Sequence, residues 1–378
     1  MKIVAIADMH IGKDRIGKAN VSPDKWDSPA WEAIDYAIDN DVDLVLFCGD
    51  ELESRHPHPS TIKRFSVMLR ELDVAEVPWR IIGGNHTIGA GADYTSSLTP
   101  YRYMKGSYSM VIEGIIRRET LWRHEELRLN LIAIPWIRPV DYHPDDLCGL
   151  DTIDEEIQYT REQALDRLQD AFTLIAGHAM VTTGNADPTA PQTFIGKDIP
   201  LPLKDLESYD VPVVLGHIHQ AVGPYVGSTQ PTDFSDTGEK SFTVLELWRF
   251  DTGWKRTRIP YKSSLKVADI RITGEDGSVA LISEMIQHKH PGVDIIRITI
   301  EDEAADPYEI RRSLDGITIE SIAVERERLT VARVDMEQPL VAMAPLHAAE
   351  IWMKQQGRTA EEASPIYDRF KALIEEEA

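Results

Sequence analysis

The chain has 378 residues, 42% of them hydrophobic and 27% charged, with 63 acidic against 40 basic side chains and a formal net charge of −23. That length leaves room for roughly two to three domains and a large core. The charge excludes a grip on nucleic acid through bulk positive charge, because neutralising phosphates takes clustered Lys and Arg. It leaves open an enzyme whose metal ions supply the positive charge locally, or whose partner supplies the grip. No run approaches the ~18 apolar residues of a membrane helix. Met1-Lys2 leads straight into "IVAIAD", so no cleavable leader is expected. The two cysteines, Cys48 and Cys148, make neither a disulfide framework nor a thiolate site, which fits a reducing cytoplasm.

In chain order, several β-branched-rich runs break off in a polar cluster, the pattern of buried strands feeding functional loops. Residues 2–7 end in Asp8-Met9-His10, and residues 42–48 end in Gly49-Asp50. Residues 79–83 end in Gly84-Asn85-His86, and residues 127–134 end in Pro135-Trp136. Residues 172–176 end in Gly177-His178, and residues 211–215 end in Gly216-His217-Ile218-His219. Between them, 28–40 (from Ser28-Pro29), 60–72 and 160–172 carry apolar residues at helical spacing. This alternation predicts an α/β fold with loops gathered at the C-terminal ends of the strands. From 222 to 262 the texture turns to strands joined by Gly- and Pro-rich turns. Residues 265–340 mix strand-like runs ("KVADIRITG", "DIIRITIE", "RLTVARVDM") with helical stretches at 279–288 and 307–314. The tail, 344–378, holds two amphipathic helical segments. The expected domains are therefore 1–262, a smaller α+β unit at 263–343, and a helical tail at 344–378.

Asp8, His10, Asp50, Asn85, His178, His217 and His219 all fall just past an expected strand. A single histidine there is most simply a hydrogen-bonded core or surface residue, and Gly-Asp alone also makes ordinary turns. Together they bring two carboxylates, one amide and four imidazoles to one sheet edge. A core has no use for such a cluster, since each buried charge without a partner costs several kcal/mol. A pair of divalent cations compensates it. The oxygen and nitrogen donors, with no thiolate, suit Mn²⁺, Fe²⁺ or Zn²⁺. Two ions ~3.5–4 Å apart can share a carboxylate and activate a bridging water against phosphorus.

The order D-x-H, G-D, G-N-H, G-H, G-H-x-H resembles the signature of calcineurin-like metallophosphoesterases. That resemblance implies a two-sheet αββα sandwich with a dinuclear site at one edge, here with a smaller α+β capping domain and a C-terminal helical tail. Within the superfamily, "GDELESRHPHPSTI" (49–62), "KDIPLPLKDLESYDVPVVLGHIHQ" and "YVGSTQPTDFSDTGEKSFTVLEL" are similar to SbcD-type DNA nucleases, a likeness covering about residues 1–262. The resemblance implies one metal on Asp8, His10, Asp50 and His219, and the other on Asp50, Asn85, His178 and His217, with Asp50 bridging. Mn²⁺ is the expected metal. His86 is the expected catalytic residue outside the metal sphere, as proton donor or charge stabiliser.

Two departures stand out. Thr87 replaces the usual Asp after Gly-Asn-His. Glu53 stands where the nucleases usually carry a His, with His56 and His58 nearby as substitutes, and it would repel a phosphate unless protonated or aimed elsewhere. The function so implied is a metal-dependent DNA exonuclease, with endonuclease activity as an addition. It would act on double-stranded DNA ends as the nuclease subunit of an SbcCD-like repair and recombination complex. The expected partners are an SbcC-type coiled-coil ATPase, docked on the tail helices, and a second copy of the chain, paired through residues 60–72. The alternatives are a small-substrate phosphodiesterase of the cyclic-nucleotide kind or a protein phosphatase on the same fold, and a weakly active scaffold for the ATPase.

Overall fold

Alternation along single strands sets the layers. In Lys2–Ile6 (β1), Ile3 and Ala5 face one side and Val4 and Ile6 the other, and all four are buried. A strand covered on both faces belongs to the centre of a layered α/β structure. The computed structural model describes residues 1–87, 96–104, 110–112, 117–123, 127–136, 171–182, 201–202, 211–248, 253–272, 292–300, 308, 312 and 318–324. The chain divides into two compact units, Met1–Val324 and Glu325–Ala378. The second unit lies outside the described residues, and with it the expected tail helices and the run "RLTVARVDM". The expected helices at 160–172 and 279–288 also fall outside, the first but for its last two residues, and so does most of 307–314.

After β1 the chain alternates helix and strand: Pro23–Asp39 (α1), Leu44–Phe47 (β2), Pro59–Val74 (α2), Trp79–Ile82 (β3) and Met110–Ile112 (β4). Strands β1 to β4 pair in parallel. A second sheet follows from Arg117–Arg123 (β5), Leu127–Ile134 (β6), Ala171–His178 (β7) and Val213–Gly216 (β8), in the order β8-β7-β6-β5. Only the β5–β6 pair in it is antiparallel. The chain then returns to the first sheet with Ser241–Leu247 (β9) and Trp254–Pro260 (β10), giving β10-β9-β1-β2-β3-β4.

The two sheets stack face to face. Ile3, Ala5, Leu44, Leu46 and Ile82 of the first pack with Leu129, Leu131, Leu174, Ala176 and Val214 of the second. On the first sheet's other face, Val4, Ile6, Val45, Phe47 and Ile81 meet Ala33, Ile34 and Ala37 of α1 and Phe65, Met68 and Leu72 of α2. The expected α/β class and two-sheet sandwich are what the molecule has.

Helix α1 begins earlier than its periodicity predicts. Ser22, not Ser28, caps it: the Ser22 hydroxyl accepts from the Lys25 amide at 3.3 Å and Pro23 takes the first turn. Pro29 therefore lies inside the helix, where its missing N–H leaves the Lys25 carbonyl without its intrahelical donor. The Gln230 side-chain amide supplies it, donating to Lys25 O at 2.9 Å and Trp26 O at 3.1 Å. Long-range rescue of this kind cannot be seen in a local pattern. Likewise Tyr225–Lys240, which reads as strand, is mostly irregular loop before β9.

Beyond the sandwich, Val267–Ile272 (β11), Ile295–Ile300 (β12) and Thr318–Val324 (β13) form a three-stranded parallel sheet. Its Val267 and Ile295 share an apolar cluster with Ile16, Val21, Trp26, Phe234 and Leu265. This small sheet thus packs on the loops that surround the site. No helix among the described residues is long and apolar enough to cross a membrane.

Candidate metal centre

The site forms where the C-terminal ends of strands from both sheets meet. Asp8 and His10 follow β1, Asp50 follows β2, and Asn85 and His86 follow β3. His178 ends β7, and His217 and His219 follow β8. All eight residues singled out from the sequence therefore converge. The loops run as neighbours: the amides of Asp8, His10 and Ile11 donate to the carbonyls of Gly49, Asp50 and Glu51 at 3.0, 2.9 and 2.9 Å.

The turns that aim these side chains are strained. Asp8, His10, Asp50 and His217 have φ of 49°, 46°, 53° and 93°, the left-handed region that non-glycine residues seldom adopt. Strain of ~1–3 kcal/mol per residue persists only where the surroundings impose it, and it gathers at functional sites. Glycines clear the space between. A Cβ on Gly49 would lie 2.1 Å from His178 Nδ1, and one on Gly84 would lie 2.2 Å from Asp50 Oδ1.

Three imidazoles present the same nitrogen inward because the other one faces an oxygen outside the cluster. His178 Nδ1 donates to Cys48 O at 2.9 Å, His219 Nδ1 pairs with Thr232 Oγ1 at 2.8 Å, and His10 Nδ1 lies 2.8 Å from Glu53 Oε2. Their Nε2 atoms converge on acceptors and on each other. His10 Nε2 and His219 Nε2 are 3.2 Å apart, and His219 Nε2 is 3.9 Å from Asp8 Oδ1. His178 Nε2 is 2.9 Å from Asn85 Oδ1 and 3.3 Å from Asp50 Oδ2, while His217 Nδ1 is 3.3 Å from Asn85 Oδ1. Backbone amides orient the carboxylates: His217 N donates to Asp8 and His86 N donates to Asp50 Oδ1 at 2.8 Å.

The electrostatics of the cluster pull its members in opposite directions. Burial pushes the Asp8 carboxyl up to about 6, against the pull of His178, and the negative charge of Asp50 adds to the rise. Asp50 is held far below the usual carboxylate range, because His178 and the other imidazoles outweigh its burial. His178 is raised to about 10 although burial alone would lower it, since Asp50 and Asp8 face it. His219 goes the other way, depressed by burial and by the proximity of His10 and Lys240. Lone pairs facing lone pairs at 3 Å require protons or cations between them. The oxygen and nitrogen donor set, the fixed ring nitrogens and the glycine-cleared space fit a pair of divalent cations.

Other residues keep different company. His86 donates through Nδ1 to the Glu53 carbonyl at 2.9 Å and is partly exposed. Thr87 is buried and closes its own turn through Oγ1 to Gly84 O at 3.0 Å. His58 caps α2 by accepting from the Ser60 amide at 3.2 Å, which removes it as a stand-in for the missing histidine; His56 is exposed. Glu53 aims at the His10 imidazole and at the Lys13 ammonium, 3.5 Å away, rather than into the open site. Several supporting residues escaped the sequence reading, chiefly Thr232, Lys240 and Glu51. Lys240 is buried and donates to His219 O and Ser228 Oγ, both at 3.0 Å, and to Asp236. A lysine among loop residues gives no sign in sequence that it will be buried.

No curated protein matches the chain. Among solved structures, a dimetal phosphatase from Danio rerio is similar at 14% identity with a TM-score of 0.39, covering 69% of this chain and 99% of that one. That likeness is too weak to bear on substrate. Residues 1–221, more than half of the chain and all the converging site residues, match the calcineurin-like phosphoesterase family, and the chain belongs to it.

Proposed function

We propose that the protein is a Mn²⁺-dependent DNA phosphodiesterase, the nuclease subunit of an SbcCD-like complex that acts on double-stranded DNA ends. One observation carries the reading beyond the family. The segment similar to SbcD-type nucleases, Tyr225–Leu247, is the one that secures a metal-site histidine: Ser228 N donates to His219 O at 3.0 Å, and Thr232 and Lys240 complete the hold. The nuclease-like stretch and the chemistry are thus parts of one assembly.

In this reading Asp8, His10, Asp50 and His219 hold one ion, and Asp50, Asn85, His178 and His217 the other. The ions supply Lewis acidity and a water that ionises near neutral pH. The protein's own groups fix the rest. With Nδ1–H on the Glu53 carbonyl, a protonated His86 offers Nε2–H to the leaving oxygen. The acidic surface leaves DNA capture to the ATPase. The exposed side of α2, with Lys63, Val67, Arg70 and Val74, is the proposed face toward a second copy. Residues 344–378 are the proposed ATPase-docking segment, and the cytoplasm is the proposed compartment.

The deciding experiment incubates end-labelled linear duplex DNA with Mn²⁺ and compares the wild type with His217→Ala. The wild type should shorten the DNA and the variant should not. A wild type that hydrolyses bis(p-nitrophenyl) phosphate but leaves DNA intact, alone and with the ATPase, would refute the nuclease reading and favour a small-substrate phosphodiesterase.

A further inference from the structure

Glu53 stands where the nucleases that this chain resembles usually carry a histidine, and it sits among the imidazoles of the site. Four contacts define its place. Its Oε2 lies 2.8 Å from Nδ1 of His10, a buried imidazole, and 3.7 Å from Nδ1 of His86. Its backbone carbonyl accepts from His86 Nδ1 at 2.9 Å. Its Oε1 lies 3.5 Å from Lys13 Nζ. The His10 contact has ion-pair distance without hydrogen-bond geometry, and neither His10 Nδ1 nor Glu53 Oε2 has a hydrogen-bond partner elsewhere although both atoms are buried.

We propose that Glu53 is a positioning residue that acts through His10, a carboxylate behind a metal-binding imidazole, and that by the same loop it sets the ring of His86. A carboxylate in this place does two things. It keeps the proton of His10 on Nδ1, so that Nε2 presents its lone pair toward His219 and Asp8. It raises the electron-donating power of that lone pair, as carboxylate–histidine pairs do at metal sites. Lys13 on the other carboxylate oxygen balances its charge, so it adds little net repulsion toward an incoming phosphodiester. The division of labour is specific. The side chain serves His10, whereas the backbone carbonyl, which survives substitution, serves His86.

The inference rests on the dinuclear centre of the family and not on the DNA reading, so its test avoids DNA. Mn²⁺ is titrated calorimetrically into metal-free wild type, Glu53→Gln and Glu53→Ala. Glu53→Ala should lose about 10–100-fold in affinity at one of the two sites and leave the other unchanged. Glu53→Gln keeps an acceptor oxygen without the charge, so it should fall between. Nitrogen-detected spectra of the metal-free imidazoles give a second readout. The Nδ1–H of His10 should be protected from solvent exchange in the wild type and exchange rapidly in Glu53→Ala, while the Nδ1–H of His86 stays unchanged. Two wild-type Mn²⁺ affinities in Glu53→Ala would overturn the proposal. If that variant does not fold, unchanged Mn²⁺ binding by Glu53→Gln overturns it instead. Failure of the wild type to cut DNA leaves these outcomes untouched.

Discussion

The imidazole of His178, at the end of β7, donates through Nδ1 to the carbonyl oxygen of Cys48, at the end of β2, over 2.9 Å. That bond joins the two sheets at the point where they deliver their ligands. It also fixes which nitrogen of His178 faces Asn85 and Asp50. The next residue on the first sheet, Gly49, has φ +92° and touches the same ring. Gly49→Ala therefore meets two penalties, a backbone strain of about 1–3 kcal/mol and a Cβ placed 2.1 Å from Nδ1. The ring must move, and displacement by an ångström costs roughly 100-fold in rate. Turnover of bis(p-nitrophenyl) phosphate should fall by about that factor while Gly238→Ala, whose Cβ would meet nothing within 4 Å, stays at the wild-type level. Equal rates for the two variants would show that the ring is not held by this packing.

His86 is partly exposed, lies 3.7 Å from Glu53 Oε2, and makes its hydrogen bond to a backbone carbonyl. A group that protonates a leaving oxygen matters in proportion to that oxygen's basicity. His86→Ala should thus slow hydrolysis of an alkyl phosphodiester by about 100-fold or more and barely slow loss of p-nitrophenolate. Mn²⁺ affinity should remain at the wild-type value. A uniform loss across leaving groups would instead assign His86 to charge stabilisation in the transition state.

How much of this was legible beforehand follows from the range of the forces. Strand ends were legible because period-2 burial and abrupt polar stops are local, and β1, β2, β3 and β8 lie where "KIVAIA", "VDLVLFC", "WRIIG" and "VPVVL" place them to within two residues. The convergence of Asp8, His10, Asp50, Asn85, His178, His217 and His219 followed from those ends. The start of α1 was misplaced because two Ser-Pro steps, at 22–23 and 28–29, look alike, and only the distant Gln230 distinguishes them. The role of Glu53 was illegible for the same reason. Its charge suggested repulsion until His10 and Lys13 were seen around it.

Glu51 is a buried carboxyl whose Oε1 accepts from the Gly49 amide at 3.1 Å, while Oε2 has no hydrogen-bond partner. Burial, with the charge of Asp50 behind it, pushes it up from 4.5 to about 8. The folded value exceeds the unfolded one, so the protonated form favours the fold. That stability is complete below about pH 4.5 and drains away as the pH rises toward 8. In chelator, the wild type should lose up to about 1.4 kcal/mol per pH unit through this group, and Glu51→Gln should lack that component. Urea unfolding of both proteins across the window isolates it as a difference. A difference that stays flat with pH would mean that Glu51 is solvated or paired after all.

Gln230 joins three elements through one side chain. Its Nε2 donates to the carbonyls of Lys25 and Trp26, and its Oε1 accepts from Leu265 N at 2.8 Å and Ser264 Oγ at 3.3 Å. Trp26 in turn donates through Nε1 to Met9 O at 3.0 Å, between the site residues Asp8 and His10. Gln230→Glu leaves the acceptor side intact and turns a donor into a charged acceptor facing two carbonyl oxygens. Because an unsatisfied buried polar group costs about 1–3 kcal/mol, and more when charged, this nearly isosteric change should destabilise by at least that much. Gln230→Leu loses both sides and should cost a similar amount through the orphaned Lys25 carbonyl and Leu265 amide. If Gln230→Glu unfolds at the wild-type urea midpoint, the Pro29 gap in α1 is filled by water, and the helix needs no help from the far loop.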